Sequence, residues 1–138
     1  MSEPNVSNPR ITLREPVFRG SGVALVTPFD TGGVNEAVLR ELIEFQISEG
    51  TDAIIVCGST GEAATMSAGE QARVIEVAVS AARGRVPLIA GVGGSDTAAV
   101  SQLARTAAAL GADALLASAP PYNKPTQKGM IAHFRTIL

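Results

Sequence analysis

The sequence predicts an α/β protein built on parallel strands, and three observations carry that expectation. A short apolar run followed by a segment of helical periodicity occurs four times along the 138 residues. The runs begin near residues 23, 53, 87 and 114, so successive units are 30, 34 and 27 residues long, the length of one strand, its helix and two connections. The runs are also apolar throughout instead of alternating, as expected when helices cover a parallel sheet.

The elements follow in order. The first strand is "GVALVTP", residues 22–28. After "DTGG", Asn35 is placed to cap a helix whose apolar positions are Val38, Leu39, Leu42, Ile43 and Ile47, with Gly50 at its end. The second strand is "AIIVC", residues 53–57. Its helix opens at Ser67-x-x-Glu70, a spacing in which each side chain satisfies the other's free backbone N–H. Val74, Val77, Ala78 and Ala81 form the apolar stripe. "VPLIAGV", residues 86–92, is the third strand, and "SDTAAVSQLARTAAAL" the third helix, stopped by Gly111. "ALLAS", residues 114–118, is the fourth strand, and a last helix starts near Thr126 and is still running at Leu138.

Composition excludes several classes. Hydrophobic residues make up 46% of the chain, too many for a disordered segment. The net charge of −2 comes without a basic block, which speaks against nucleic acid or an anionic membrane as partner. The apolar runs are broken by Gly, Asp or Pro well short of a bilayer's thickness. The opening "MSEPNVSNPRITLREP" holds three prolines and no apolar core of a signal peptide. Residues 1–19 are therefore expected to form a flexible arm, and residues 20–138 the folded domain. A single cysteine, Cys57, rules out an internal disulfide, suits a reducing cytoplasm, and is expected to pack as a small buried hydrophobe.

Chemistry-bearing residues gather at the C-terminal ends of the predicted strands: Thr27-Pro28, "GSTGE" at 58–62, "GVGGS" at 91–95 and "APPYNKP" at 119–125. The opposite ends, "GTD", "RGRVP" and "GAD", are ordinary connections. No G-x-G-x-x-G follows the first strand, and "GVGGS" lacks the lysine of a phosphate-binding loop. Spacing alone leaves an open sheet and a barrel both available; in a (β/α)8 barrel the C-terminal strand end is where the site is built. Ser59 and Thr60 lie between glycines, which fits either a plain tight turn or a cradle in which hydroxyls and closely approaching backbone N–H groups hold an anion.

"GVALVTPF", "GSTGE" and "PPYNKPTQKGMIAHF" resemble the pyruvate-dependent aldolase family of dihydrodipicolinate synthase and N-acetylneuraminate lyase, in order from about Gly20 to Leu138. The resemblance implies a (β/α)8 TIM barrel, of which these four βα units are the N-terminal half. It implies Schiff-base aldol condensation of pyruvate with aspartate semialdehyde in lysine biosynthesis, without cofactor or metal, in a homo-oligomer that is a homotetramer in the family. By the same resemblance Ser59 and Thr60 bind the pyruvate carboxylate. Ser59, standing where the family usually has threonine, shares a proton relay with Tyr122, which reaches into the partner subunit's site. A phenol both donates and accepts, as a relay requires. "YNKPTQ" is closer to the synthases than to the sialic-acid or keto-deoxy-sugar-acid lyases, which remain the nearest alternative. A non-catalytic half-barrel interaction module is the alternative from another class.

The family's Schiff-base lysine and second tyrosine belong to later strands, beyond these 138 residues. The two lysines present, Lys124 and Lys128, are expected to be solvated, and His133 to be a surface or packing residue. Half a barrel is also expected to leave inward-facing side chains uncovered, namely Val23, Leu25, Ile54 and Leu88 or Ile89.

Overall fold

The computed structural model describes residues 15–138. Four side-chain caps set the starts of its helices. Asn35 accepts from the Val38 N–H at the start of α1 (Glu36–Ser48), and Ser67 and Glu70 form the reciprocal box at α2 (Ala68–Ala82). Asp96 accepts from Ala98 and Ala99 at α3 (Thr97–Ala109), and Thr126 from Gly129 at α4 (Gln127–Ile137). Each cap satisfies N–H groups that the helix itself leaves unpaired. Gly50 and Gly111 follow α1 and α3 at φ +87° and +96°, a backbone region that costs glycine nothing.

The strands are β1 (Gly22–Ala24), β2 (Phe29–Asp30), β3 (Gly33–Val34), β4 (Ala53–Val56), β5 (Leu88–Gly91) and β6 (Ala114–Leu116). Four of them form one parallel sheet in the order β1-β4-β5-β6, with β1 and β6 at its edges. The first strand is shorter than the expected 22–28. As an edge it has a partner on one side only among the described residues, and Pro28 has no N–H to donate. "FDTGGV" folds back as the antiparallel pair β2–β3, with Phe29 opposite Val34, where only a connection was expected.

Register divides the sheet into two faces. Val23, Ile54 and Leu88 are Cα partners across β1, β4 and β5. Ile54 and Leu88, with Leu25, Val56 and Ala90, belong to the core formed with Leu39 and Ile43 of α1 and Val74, Ile75 and Ala78 of α2, and half-buried Val23 packs against it. Thus Val23, Leu25, Ile54 and Leu88, expected to face inward, lie on the helix-covered side; only Ile89 was correctly placed. Side chains alternate along a strand, so the opposite face carries Ala24, Ile55, Ile89, Ala114 and Leu116. Leu116 is 50% exposed there. The Phe18 ring lies over Gly22; a Cβ added at Gly22 would stand 2.8 Å from Cζ. Phe18 falls within the arm expected at 1–19, whose residues 1–14 lie outside the described ones. These features agree with the expected half-barrel of parallel βα units. No helix among the described residues is long and apolar enough to cross a membrane.

Candidate functional site

The loops at the C-terminal ends of β4, β5 and β6 enclose a cleft of about 890 Å³. It is lined by Gly58, Ser59, Glu62 and Met66 after β4, by Gly93–Ser95 after β5, and by Ala117–Ala119 and Pro121 after β6. Ser59 therefore lines the cleft. Thr60 is exposed beside it, and Tyr122 is 99% exposed and outside the lining.

The turn after β4 is built from its backbone. Gly61 and Ala63 donate their N–H groups to the Gly58 carbonyl at 3.1 and 3.4 Å, and Glu62 donates to the Ser59 carbonyl at 3.1 Å. The N–H groups of Ser59 and Thr60 take part in none of these bonds. Close approach leaves little room beside Gly61 and none beside Gly91. A Cβ at Gly61 would stand 3.1 Å from both the Leu25 carbonyl and Thr27 Oγ1, and one at Gly91 would overlap the Cys57 carbonyl.

Two further side chains hold this turn, and sequence reasoning gave neither of them a role. Thr27 Oγ1 donates to the Gly61 carbonyl at 2.7 Å, and Gln71 Nε2 donates to the carbonyls of Ala63 and Met66 at 2.9 and 3.2 Å. Thr27 carried a signal, its position at the end of the first strand. Gln71 carried none, because its partners depend on the short 3₁₀ turn at Ala63–Thr65.

Backbone strain clusters at the same end. Cys57, Glu62, Tyr122 and Lys124 all have positive φ, +57°, +56°, +70° and +44°, a region that L-residues with side chains occupy at a cost. The Tyr122 loop is tied to the loop after β5: Ser95 Oγ donates to the Pro121 carbonyl at 2.9 Å, and Asn123 Nδ2 donates to the Ser95 carbonyl at 2.8 Å.

The remaining residues singled out from the sequence have plainer surroundings. Cys57 is 2% exposed, and burial pushes its thiol pKa up to about 12, so it packs as a neutral group. His133 is buried between α3 and α4, with Nδ1 2.8 Å from Thr97 Oγ1 and its ring edge-on to Phe134. Lys124 and Lys128 are exposed and outside the cleft lining.

A parallel βα sheet with hydroxyls, glycines and strained backbone gathered at its C-terminal strand ends is the layout of a barrel-type enzyme site. The dihydrodipicolinate synthetase family model matches residues 17–138, and the chain belongs to that family. It is 56% identical over 122 residues to a 4-hydroxy-tetrahydrodipicolinate synthase of Thermoanaerobacter pseudethanolicus, a match covering 88% of this chain and 41% of the relative. The dihydrodipicolinate synthase structure from Aquifex aeolicus superposes with a TM-score of 0.85 at 50% identity, over 87% of this chain and 41% of that one. The chloride-inhibited dihydrodipicolinate synthase from Acinetobacter baumannii, complexed with pyruvate, gives 0.83 at 44% identity, over 86% and 41%. The chain thus spans about two fifths of the length of the curated relatives it matches.

Proposed function

We propose that this chain carries the pyruvate-carboxylate and proton-relay half of a 4-hydroxy-tetrahydrodipicolinate synthase site, serving condensation of pyruvate with aspartate semialdehyde through a lysine imine. The observation that carries the reading is the Gly58–Glu62 turn. Its backbone closes on itself through Gly61, Glu62 and Ala63, leaving the Ser59 and Thr60 N–H groups outside those bonds at the edge of the cleft. A carboxylate is a planar anion that several preorganised donors recognise better than one flexible cation. The related Acinetobacter enzyme was crystallised with pyruvate, which favours a keto acid as the anion.

In this reading Ser59 and Thr60 bind the carboxylate, and the Ser59 hydroxyl also passes a proton to or from the reacting carbon. Tyr122, exposed on its tied loop, completes that relay in a second copy of the chain. An imine-forming lysine needs an apolar setting that favours its neutral amine, and exposed Lys124 and Lys128 do not have one. The chain alone is therefore expected to give no turnover of pyruvate with aspartate semialdehyde and no pyruvate adduct after borohydride reduction. Turnover above a protein-free control would overturn this.

Binding is tested by titrating pyruvate into 15N-labelled chain. Shifts are expected at the Ser59, Thr60 and Glu62 amides, with lactate, which lacks the keto group but keeps the carboxylate, shifting the same amides. Silence at those three amides during the pyruvate titration would sink the carboxylate role.

A further inference from the structure

We propose that Thr27 is a positioning residue, the buried tie that holds the Gly58–Glu62 turn in its ligand-ready shape; its part in ligand binding rests on the carboxylate reading above. Among the described residues, three polar side chains are buried: Thr27, Ser101 and His133. Ser101 and His133 bond within the α3–α4 pair. Thr27 alone of the three lies at the C-terminal end of the sheet, 5% exposed, just beyond the edge strand β1.

Its hydroxyl donates to the Gly61 carbonyl at 2.7 Å. That carbonyl belongs to the peptide unit entering Glu62, whose φ is +56°. The peptide unit leaving Glu62 is held as well, because Thr65 Oγ1 donates to the Glu62 carbonyl at 2.9 Å. Two threonine hydroxyls thus fix the peptide planes on either side of one left-handed residue. A left-handed non-glycine residue persists only where its surroundings over-determine it. The turn also sits directly on the exit of β1, since a Cβ at Gly61 would stand only 3.1 Å from the Leu25 carbonyl and from Thr27 Oγ1. The Glu62 N–H in turn closes on the Ser59 carbonyl. Release of the Gly61 carbonyl would let the Glu62 peptide rotate and carry the Ser59 and Thr60 donors with it.

The test compares the wild-type chain with Thr27→Val, which keeps the shape but loses the hydroxyl, and Thr27→Ser, which keeps the hydroxyl. Loss of one buried hydrogen bond corresponds to about a tenfold change in a local opening equilibrium. Amide exchange at Gly61, Glu62 and Ala63 is therefore expected to accelerate about tenfold in Thr27→Val. Exchange at Leu39 and Ile43 of α1 should stay unchanged, and Thr27→Ser should stay near wild type. A similar weakening of pyruvate binding, followed at the Ser59 and Thr60 amides, is expected for Thr27→Val alone.

Unchanged exchange in Thr27→Val would overturn the proposal, as would acceleration spread equally over α1 and β4, the mark of general loosening. Equal pyruvate affinity in wild type and Thr27→Val would also overturn it. Should wild type show no pyruvate response, the carboxylate reading falls, and the exchange data alone decide whether Thr27 holds the turn. If Thr27→Val does not fold, the wild-type Thr27 hydroxyl proton decides: a slowly exchanging resonance supports the tie, and its absence removes it.

Discussion

Ser67 and Glu70 show how much one pair of side chains does at a helix start. Ser67 Oγ accepts from the Glu70 N–H at 3.2 Å, and Glu70 Oε2 accepts from the Ser67 N–H and hydroxyl, both at 2.8 Å. These bonds, that of the backbone N–H first, hold the Glu70 carboxyl below its ordinary pKa of 4.5. Ser67→Ala should destabilise the chain by about 1 kcal/mol, read as a lowered urea midpoint. The pH dependence has a definite sign. A carboxylate whose pKa is depressed on folding adds stability that is complete above its unfolded pKa and lost as pH falls through the folded value. Ser67→Ala keeps the backbone N–H and removes only the hydroxyl's share, so that share of the deficit should be present near neutrality and shrink as the pH drops below 4.5; a deficit that grows on acidification would contradict this. The role proposed for Ser59 is of a different kind. In a chimera joined to the remaining part of a family member, Ser59→Ala should lower kcat by roughly 10²–10⁴-fold, the usual cost of losing a positioned proton relay. Pyruvate KM should change far less, because on the proposed reading backbone N–H groups would still hold the carboxylate. A raised KM with intact kcat would remove Ser59 from the relay.

Between elements, apolar packing outweighs visible ion pairs. Arg73 bridges Glu36 of α1 and Glu76 of its own helix at 2.6 and 2.7 Å, and Arg85 meets Glu44 at 2.7 Å. All of these groups are substantially exposed, and exposed pairs contribute only about 0–1 kcal/mol each. The α1–α2 contact rests instead on Leu39, Ile43, Val74 and Ala78, all fully buried. The contact between β5 and the turn after β4 has no slack at all. A Cβ on Gly91 would run into the Cys57 carbonyl and lie 2.9 Å from the Gly58 nitrogen, both backbone atoms that cannot swing aside. Gly91→Ala should accordingly cost at least the 1–3 kcal/mol typical of overpacking and perturb the Ser59 and Thr60 amides. An unchanged denaturation midpoint with unchanged amide shifts would show that the turn has room to move.

At the scale of the whole molecule, the open face dominates. Val26 and Leu116 are 51% and 50% exposed at the C-terminal side of the sheet, and among the described residues β1 and β6 present unpaired parallel edges. Each large apolar side chain left in water forfeits roughly 1.5–3 kcal/mol of available burial, and open edges invite pairing with another chain. The 138-residue chain should therefore self-associate at moderate concentration. Light scattering that gives a sharp monomer together with cooperative thermal unfolding would contradict this. The same open face makes Leu116→Lys informative: the charge should reduce association while leaving the helix-side core untouched.

Local chemistry was legible in the amino-acid order alone. The caps at Asn35 and Ser67, the start of the last helix near Thr126, the helix stops at Gly50 and Gly111, the parallel βα repeat and the concentration of Ser59, Thr60 and Tyr122 at one end all follow from side-chain type and short spacing. Such features depend on bonds made within a few residues, so the chain states them directly. What faces what was decided only in three dimensions. Val23, Ile54 and Leu88 turn toward the helices and Ile89 away from them, because strand register, which apolar runs without alternation do not encode, selects the face. The Thr27–Gly61 bond spans 34 residues, and the abutment of Gly91 against Cys57 another 34. Contacts of that length exist only once the sheet has set its neighbours side by side, and they are the contacts that hold the candidate site in shape.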